Sequence, residues 1–439
     1  MMTMAEAATA RGFTQQSFDA FLASRAEQPQ WLIDQRREAW ETFLRLPMPS
    51  MQEEEWRRTD IRLLRLDRFG LPSSGASACS PPSPLLTEGV DLAGLSTSVN
   101  SILVQSQLQP EVAAAGVLFG GLDELAVTHS DLVRAHLGRA FDPGYDKFAA
   151  LNTACFSGGT MLYVPRGVSV ERPLHVLSAM TAGGVDLGRL LVVLEEDAQA
   201  TLLTETASAE PGPGFHCGGV ELLLAPGARL RFVGLQNWDH GVWHFAHQKA
   251  IVDARSRLQW TIGALGARLA KVNQRVVLDG EGADVEVSGV MFAEDKQHLA
   301  YNTHQHHRAP RCQSDLLYKA ALKDKSHTVW RGMILVDPEA QKTDAYQRND
   351  NLLLSEHCRA DSIPGLEIEA DDVRCTHGAT AGQVDDEQIF YAQTRGLTHD
   401  EATRLVVSGF FQQVLDRITI ENVRHVLGEA VGRRIRQYK

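Results

Sequence analysis

Cys375 and His377 are separated by one residue in the segment EADDVRCTHGATAG (369–382), whose composition is typical of a β-strand. Because side chains alternate between the two faces of a strand, both point the same way, with their Cα atoms roughly 7 Å apart. A cysteine sulfur and a histidine nitrogen both bind iron or zinc. The pair therefore indicates either part of a metal site or a buried cysteine beside a hydrogen-bonded histidine, and these residues alone favour the second interpretation.

Two ligands do not complete a metal site, and this segment offers no third ligand at motif spacing. Any missing ligands would come from elsewhere in the fold, from another subunit or from inorganic sulfide.

A second group of candidate ligands lies in THQHHRAPRC, which contains His304, His306, His307 and Cys312. On a strand His304 and His306 share one face and His307 takes the other, so at most two of the imidazoles converge. A metal site and a polar ladder on the outside of the fold are both compatible with this pattern. In WDHGVWHFAH (238–247) aromatic residues interrupt the histidines, which favours packing over metal binding.

Enzyme motifs are largely missing. The sequence contains neither the phosphate-binding loop GxxxxGK[ST] nor the nucleophile elbow GxSxG. Asp371 and Asp372 are adjacent on the predicted strand and face opposite sides, which makes them a poor acid–base pair for sugar chemistry. We therefore expect no turnover machinery within this chain.

The overall composition and net charge limit the classes of partner that we expect for this chain. The chain has 439 residues, 44% of them hydrophobic, and a formal net charge of −12. That charge argues against nucleic acid or an anionic membrane as a main partner, although GRRIRQYK (432–439) is locally basic. Six sparse cysteines without a CxxC pair, and no long apolar run, predict a protein of the reducing cytoplasm that does not span a membrane.

The chain divides into three regions with different sequence patterns. Residues 1–145 are predicted to be helical, with Trp40, Phe43 and Leu44 on one helix face and a Ser/Pro-rich loop at 73–84. Residues 146–384 have β-branched residues, glycine turns and period-2 alternation. Helical spacing returns in residues 385–439.

A weak repeat runs through the β-rich region. Ala200, Ala228, Ser256 and Ala283 align at spacings of 28, 28 and 27 residues, and each is followed two residues later by Leu or Val. Stacked coils bury an apolar face that a single coil cannot, so the period favours a β-solenoid over the alternative, a β-sandwich with evenly spaced turns.

The C-terminal region begins a helix with a capping box formed by Thr398 and Glu401. An apolar stripe at i+4 spacing follows, consisting of Ala402, Val406, Phe410, Val414 and Ile418. Phe410 and Phe411 cannot both face the same way, so one of them is a candidate contact for a partner.

The stretch from AQKTDAYQRND to RLVVSGF (340–410), including RCTHGAT, closely resembles the C-terminal signature of the SufB/SufD family of iron–sulfur cluster assembly proteins. Its residues are more similar to those of the SufD branch of this family. Two segments upstream of it, HQHHRAP and SHTVWRGMILV, are also similar to sequences of this family. EEWRRTDIRLL (54–64) is similar to its N-terminal Glu-Glu-Trp-x-x-Thr-Asp segment.

The resemblance implies a right-handed parallel β-helix between helical N- and C-terminal regions. It further implies a non-catalytic scaffold subunit of a SufBCD complex, paired with a SufB-like paralogue, with the SufC ATPase docked on the C-terminal helices. The isolated chain is expected to form a homodimer through the surface meant for the paralogue. The alternative function is a β-solenoid enzyme that acts on polysaccharide or acyl substrates.

By the same resemblance, His377 and Cys375 become candidate ligands of a nascent, transient iron–sulfur cluster at the SufB interface. His377 is the stronger candidate of the two. Complexes of this type also bind reduced flavin, but no residue of this sequence locates such a site.

Overall fold

The computed structural model describes residues 12–72, 80–418 and 420–436, with side chains described up to residue 433. Cys79, residues 73–79 of the predicted 73–84 loop and residues 437–439 of the basic C-terminal segment therefore lie outside the described residues. The described helices are α1 Gln15–Ala23, α2 Gln30–Arg45, α3 Pro110–Ala114, α4 Leu122–Thr128, α5 Ser130–His136, α6 Lys147–Cys155, α7 Asp386–Thr394, α8 His399–Leu415 and α9 Glu421–Arg436, with a 3-10 turn at Leu66–Arg68.

The strands fall into an N-terminal and a central set. The first set is β1 Gly94–Val99, β2 Ile102–Leu108, β3 Leu118–Gly121, β4 Thr160–Val164, β5 Leu174–Met180, β6 Val185–Asp186, β7 Arg189–Leu194, β8 Gln199–Ser208, β9 Gly214–Leu224 and β10 Arg229–Asn237. The second set is β11 Val242–Val252, β12 Arg257–Ala264, β13 Leu269–Leu278, β14 Asp284–Ala293, β15 His298–His307, β16 Gln313–Leu322, β17 His327–Val336, β18 Asp344–Leu353, β19 Arg359–Ile368 and β20 Arg374–Gln383.

These strands form two sheets that face each other around one interior. One sheet has the order β2-β1-β5-β8-β10-β12-β14-β16-β18-β20, and the other has the order β19-β17-β15-β13-β11-β9-β7-β4-β3. Successive strands from β7 to β20 alternate between the sheets, and these strands pair in parallel with their neighbours, whereas β1–β2 and β3–β4 are antiparallel pairs. The predicted β-solenoid is therefore confirmed, with about eight coils. Strands β1–β3 were not foreseen in the helical N-terminal region.

Small buried residues recur at one corner of each coil, as the repeat predicted. Backbone N–H groups of Arg229, Arg257, Asp284, Gln313, Asp344 and Arg374 donate to the carbonyls of Ala198, Ala228, Ser256, Ala283, Cys312 and Thr343, respectively, in the preceding coil. The sequence alignment was therefore wrong by two residues in its first copy, because Ala198 rather than Ala200 is the equivalent of Ala228. It also missed Cys312 as the next member, a buried thiol that donates to the carbonyl of Gly280.

A left-handed residue stands directly before each of these corners. Asp197, Gly227, Arg255, Gly282, Arg311 and Lys342 all have φ between 57° and 75°. Each of their N–H groups donates to a carbonyl of the following coil, as Arg255 does to Glu281 at 3.0 Å. The coils are thus joined at this corner by backbone bonds as well as by the sheets.

Helices cover both outer faces of the solenoid. Phe18, Trp40 and Phe43 of the N-terminal helices pack with Phe215 and Phe245 of the second sheet. Leu44, predicted to share their face, is 54% exposed, and α2 ends before Pro47 as expected.

The C-terminal helices pack on the first sheet, where Val407 and Phe411 are fully buried among Val233, Leu235 and Phe292. The predicted stripe is right for Ala402, Val414 and Ile418, which are buried, and wrong for Val406 and Phe410, whose neighbours Val407 and Phe411 take the buried positions. Phe410 is half-buried beside the ammonium of Lys319, and its carbonyl accepts a 3.0 Å hydrogen bond from that group. The Thr398–Glu401 capping box is confirmed.

The C-terminal end of the solenoid is open. Among the described residues, strand β20 pairs only with β18, and β19 pairs only with β17, so both are edge strands of ten residues. Most residues of β20 are exposed. None of the helices in the described ranges has the length and apolarity required to cross a bilayer.

Candidate functional site

Cys375 and His377 lie on the edge strand β20, facing the same way as predicted. Their register partners on β18 are Ala345 and Gln347, both buried, so the two side chains continue the interior column of the solenoid at its last coil. An edge strand has one row of backbone N–H and C=O groups without a strand partner. The thiol and the imidazole therefore lie on the last coil of the solenoid, at an edge of its sheet.

The two side chains differ in environment. Cys375 is half-buried against the apolar cluster that contains Ile334, Val336 and Ala345, and this burial raises the pKa of its thiol. His377 is exposed, and no hydrogen bond to its ring is formed by any other part of the chain that the structure describes. Gln347 beside it has a buried side-chain oxygen without a partner among those residues. The exposed His377 imidazole is therefore the group of this site that a further molecule can reach.

A complete metal site is not formed within the described chain. Nowhere in residues 12–72, 80–418 and 420–433 do three His, Cys, Asp or Glu side chains converge in a geometry that could hold a metal ion. The described cysteines other than Cys375 are buried, for example Cys358, whose thiol donates to the Ser355 carbonyl at 3.0 Å. Cys375 is thus the most accessible thiol of the described cysteines.

The His304, His306, His307 group splits between the faces of β15 as predicted. His304 and His306 lie outward with ring centroids 5.9 Å apart, and His306 pairs with Asp337 at 2.8 Å. His307 is fully buried in the interior and is hydrogen-bonded to the Ser314 hydroxyl at 2.8 Å. The three imidazoles do not converge on one point.

The histidines of 238–247 have packing partners, in agreement with the favoured interpretation. Trp238 donates its indole N–H to His244 Nδ1 at 3.0 Å, inside the solenoid. His247 lies 3.0 Å from a carboxylate oxygen of the buried Asp146.

The segment EEWRRTD docks the N-terminal region on the second sheet, a role that sequence reasoning missed. The Glu55 carboxylate accepts the Tyr145 hydroxyl and lies 3.8 Å from Arg275 and 3.9 Å from Arg331. Lys271 donates to the Glu55 carbonyl at 2.8 Å. The similarity of this segment to the family motif was the only signal of its importance.

A chain of polar side chains continues from this segment towards the last coil. The Thr59 hydroxyl is hydrogen-bonded to His298 Nε2 at 3.1 Å, and His298 Nδ1 lies 3.2 Å from His327 Nδ1. His327 Nε2 in turn is hydrogen-bonded to Asp361 on β19 at 2.9 Å. The N-terminal segment is thus tied to three successive strands of one sheet.

Large apolar side chains are exposed on the C-terminal helices. Phe390 and Tyr391 of α7 are 67% and 60% exposed, and Leu405 of α8 is 60% exposed. They lie on helices whose other faces are buried, for example through Ile389 and Val407. Exposed aromatic and aliphatic side chains of this size are candidates for a protein contact.

The fold and the open end together define a class of protein: a two-sheet parallel β-solenoid with helical covers and an incomplete thiol–imidazole pair on its last coil. The family model for the SufBD core domain of the SUF system for FeS cluster assembly matches residues 177–410, and that for the SufBD protein N-terminal region matches residues 16–176. The chain belongs to the SufB/SufD family of iron–sulfur cluster assembly proteins.

Curated relatives agree with this assignment. The chain is 26% identical over 435 residues to the iron–sulfur cluster assembly protein SufB of Bacillus subtilis, covering 94% of this chain and 90% of that protein. It is 33% identical over 295 residues to an iron–sulfur cluster assembly SufBD family protein of Mycobacterium leprae, covering 65% of this chain and 74% of the relative. A SufBD family protein of Staphylococcus epidermidis is 26% identical over 424 residues, covering 91% and 88%.

Proposed function

We propose that this chain is a SufD-type, non-catalytic scaffold subunit on which an iron–sulfur cluster is assembled together with a SufB-like paralogue. The observation that carries the proposal is the position of Cys375 and His377 on a free edge strand. Membership of the family supports a role in cluster assembly, and the absence of a recognisable nucleotide loop in the sequence agrees with ATP hydrolysis by a separate subunit.

The open end favours a related chain as the partner. Edge strands pair readily with another strand, because their unpaired N–H and C=O groups gain hydrogen bonds. A SufB-like paralogue with the same solenoid would present matching edges to β19 and β20. Its side chains, with inorganic sulfide, would supply the ligands that Cys375 and His377 lack. The same edges are expected to form a homodimer when the partner is missing.

His377 is proposed as the stronger ligand of the two, because its ring is already exposed and needs no loss of a packing contact. The Cys375 thiol must lose its proton to bind iron, and its burial opposes the thiolate. A nearby metal ion, or a cationic side chain of the partner, would instead favour the thiolate. Both residues therefore become effective ligands only in the assembled complex.

The experiment is anaerobic measurement of iron and sulfide in the complex co-expressed with its partners. We expect His377→Ala to lower both while the subunits still co-purify, and Cys375→Ser to have a smaller effect in the same direction. The matched control is Thr376→Ala, an exposed change on the same strand but on its opposite face. Unchanged iron and sulfide in His377→Ala would return this residue to a structural role.

Docking of a SufC-type ATPase on α7–α9 is the second part of the proposal, supported by the exposed Phe390, Tyr391 and Leu405. The division into 1–145, 146–384 and 385–439, the cytoplasmic location and a reduced flavin in the complex stay predictions. The alternative of a polysaccharide- or acyl-processing enzyme is not favoured, since the relatives are named for cluster assembly.

A further inference from the structure

A small cavity lies between the N-terminal cover and the outer face of the second sheet. Its volume is about 120 Å³, and its lining includes Phe141, Asp142, Tyr145, Lys249, Asn273 and Arg275. It is separate from the last coil, because Lys249 belongs to β11 and Arg275 to β13. It therefore plays no part in the site proposed at Cys375 and His377.

Three nitrogen-bearing side chains form one row along this face. Lys249 is the register partner of Arg275, and Arg275 is the register partner of His304 on the next strand. Adjacent strands are about 4.7–4.9 Å apart, and like charges directly opposite each other on neighbouring strands are destabilising. The Lys249–Arg275 pair is therefore unfavourable unless negative charge lies against it.

The chain supplies part of that charge through Glu221, the register partner of Lys249 on β9, but this carboxylate already accepts hydrogen bonds from the Arg189 guanidinium and from the N–H groups of Gly138 and Ala140. Within the described ranges the half-buried Lys249 ammonium has neither a hydrogen bond nor an ion pair. Arg275 stacks over the Tyr145 ring at 4.3 Å, and its carboxylate contact, Glu55 at 3.8 Å, is shared with Arg331. Burial and the adjacent Arg275 both lower the pKa of Lys249. The carboxylates of Asp142 and Glu221 offset this effect in part, but neither forms an ion pair with the ammonium within the described ranges.

The same cavity has acceptors as well as donors. Asn273 is only 4% exposed, and its side-chain oxygen has no hydrogen-bond partner among the described residues. The Asp142 carboxylate is a second acceptor in the lining, where it accepts the N–H of Gly144 at 2.8 Å. A fully deprotonated anion would meet these oxygens unfavourably. An anion that keeps a hydroxyl could donate its proton to one of them.

We propose that this cavity binds a phosphate group, with Lys249 and Arg275 against its charged oxygens and the Asn273 oxygen accepting its P–OH. Inorganic phosphate retains at least one P–OH at neutral pH, whereas sulfate retains no S–OH. The aromatic walls, Phe141 and Tyr145, also admit the phosphate group of an aromatic ester, but only in its monoanionic form, because the second pKa of a phosphate monoester is about 6 and its dianion has no P–OH. His304, beside the cavity, is neutral at pH 7, since burial lowers its pKa to about 4, and it offers an N–H without adding charge.

The test is calorimetric titration of the full chain at pH 6 and constant ionic strength with inorganic phosphate, sulfate and phenyl phosphate, since at that pH about half of the ester keeps its P–OH. We expect saturable one-to-one binding of phosphate, and sulfate at least about tenfold weaker, since a hydrogen bond to a charged group contributes about 1.5–3 kcal/mol. Tighter binding of phenyl phosphate than of inorganic phosphate would identify an organic ester as the natural source. Weaker binding would identify inorganic phosphate.

Lys249→Gln is the sharpest variant, because this side chain holds no other described group in place. It should weaken phosphate binding about tenfold or more, and Arg275→Gln should add to the loss. The matched control is Lys325→Gln, an exposed lysine in the turn between β16 and β17, with unchanged affinity. Circular dichroism checks that each variant is folded. Phosphate binding that is absent, unchanged in Lys249→Gln, or equal to that of sulfate would overturn the proposal.

Discussion

The Nδ1 atoms of His298 and His327 lie 3.2 Å apart, so one ring must be neutral and accept the hydrogen that the other donates. Their outer nitrogens are hydrogen-bonded to Thr59 at one end and to Asp361 at the other. This arrangement connects the N-terminal segment with the penultimate strand of the solenoid. It also makes the contact sensitive to protonation, because two imidazolium rings at that distance repel each other.

Acidification is expected to destabilise the folded chain. Burial lowers the pKa of His298 and His307 to about 3, and that of His175 and His304 to about 4. Below about pH 6.5 these histidines are protonated in the unfolded chain but stay neutral in the folded chain. The free energy of unfolding therefore falls, as the pH is lowered, by up to about 1.4 kcal/mol per pH unit for each histidine. Glu205, whose pKa burial raises to about 7, works in the opposite direction, but burial also lowers the pKa of His244 and His327, so it is one group against six.

The measurement is the urea midpoint of unfolding at pH 7 and at pH 5, and we expect the lower value at pH 5. His298→Gln should reduce the difference between the two midpoints, since it removes one of the groups. Equal midpoints in the unmodified chain would contradict this account of its buried histidines.

Breaking the polar chain should loosen the N-terminal segment. Thr59→Val leaves the buried His298 Nε2 without its partner, and an unsatisfied buried polar atom costs about 1–3 kcal/mol. We expect faster limited proteolysis at Arg57 and Arg58, with the solenoid still intact. Arg57→Ala, at a side chain that is 70% exposed, is the control for the exposed side of the segment, read from cleavage at Arg58. A cleavage rate in Thr59→Val no faster than in the unmodified chain would argue that other contacts hold the segment.

Substitutions at the left-handed residues before the corners are expected to raise stability at one position and lower it at another. Arg255 is exposed and has φ 57°, so Arg255→Gly should stabilise the fold by about 0.5–1 kcal/mol by relieving the unfavourable conformation. Gly227→Ala, at φ 75°, should destabilise it, because the added Cβ would lie 2.2 Å from a carboxylate oxygen of Asp197. Denaturant unfolding should show a higher free energy of unfolding for Arg255→Gly and a lower one for Gly227→Ala than for the unmodified chain.

The C-terminal helices are expected to bind the ATPase through exposed rather than buried side chains. Phe390→Asp with Leu405→Asp should reduce co-purification with a SufC-type ATPase at least several-fold, because a buried charge disfavours an apolar contact. The matched control is Leu63→Asp, a 70% exposed leucine in the N-terminal region. These changes are sharper than deletion of residues 386–439, which would uncover Leu235 and Phe292 of the solenoid. Undiminished co-purification would place the docking surface elsewhere.

Several features could be predicted from sequence because they depend on near neighbours in the chain. Strand alternation was enough to place Cys375 and His377 on one face and to separate His307 from His304. The Thr398–Glu401 capping box and the end of α2 before Pro47 follow from side chains within one helical turn. The repeat near 28 residues indicated stacked coils, since a single coil cannot bury its own apolar face.

Only the tertiary structure decided which atoms meet across coils and covers. The register that pairs Ala198 with Ala228, the burial of Phe411 rather than Phe410, and the Lys249–Arg275 row all depend on contacts between residues far apart in the chain. Spacings vary from coil to coil, and several faces of α8 are apolar enough to be buried. The edge position of Cys375 and His377 is likewise a tertiary fact, because a strand becomes an edge only where no later coil pairs with it.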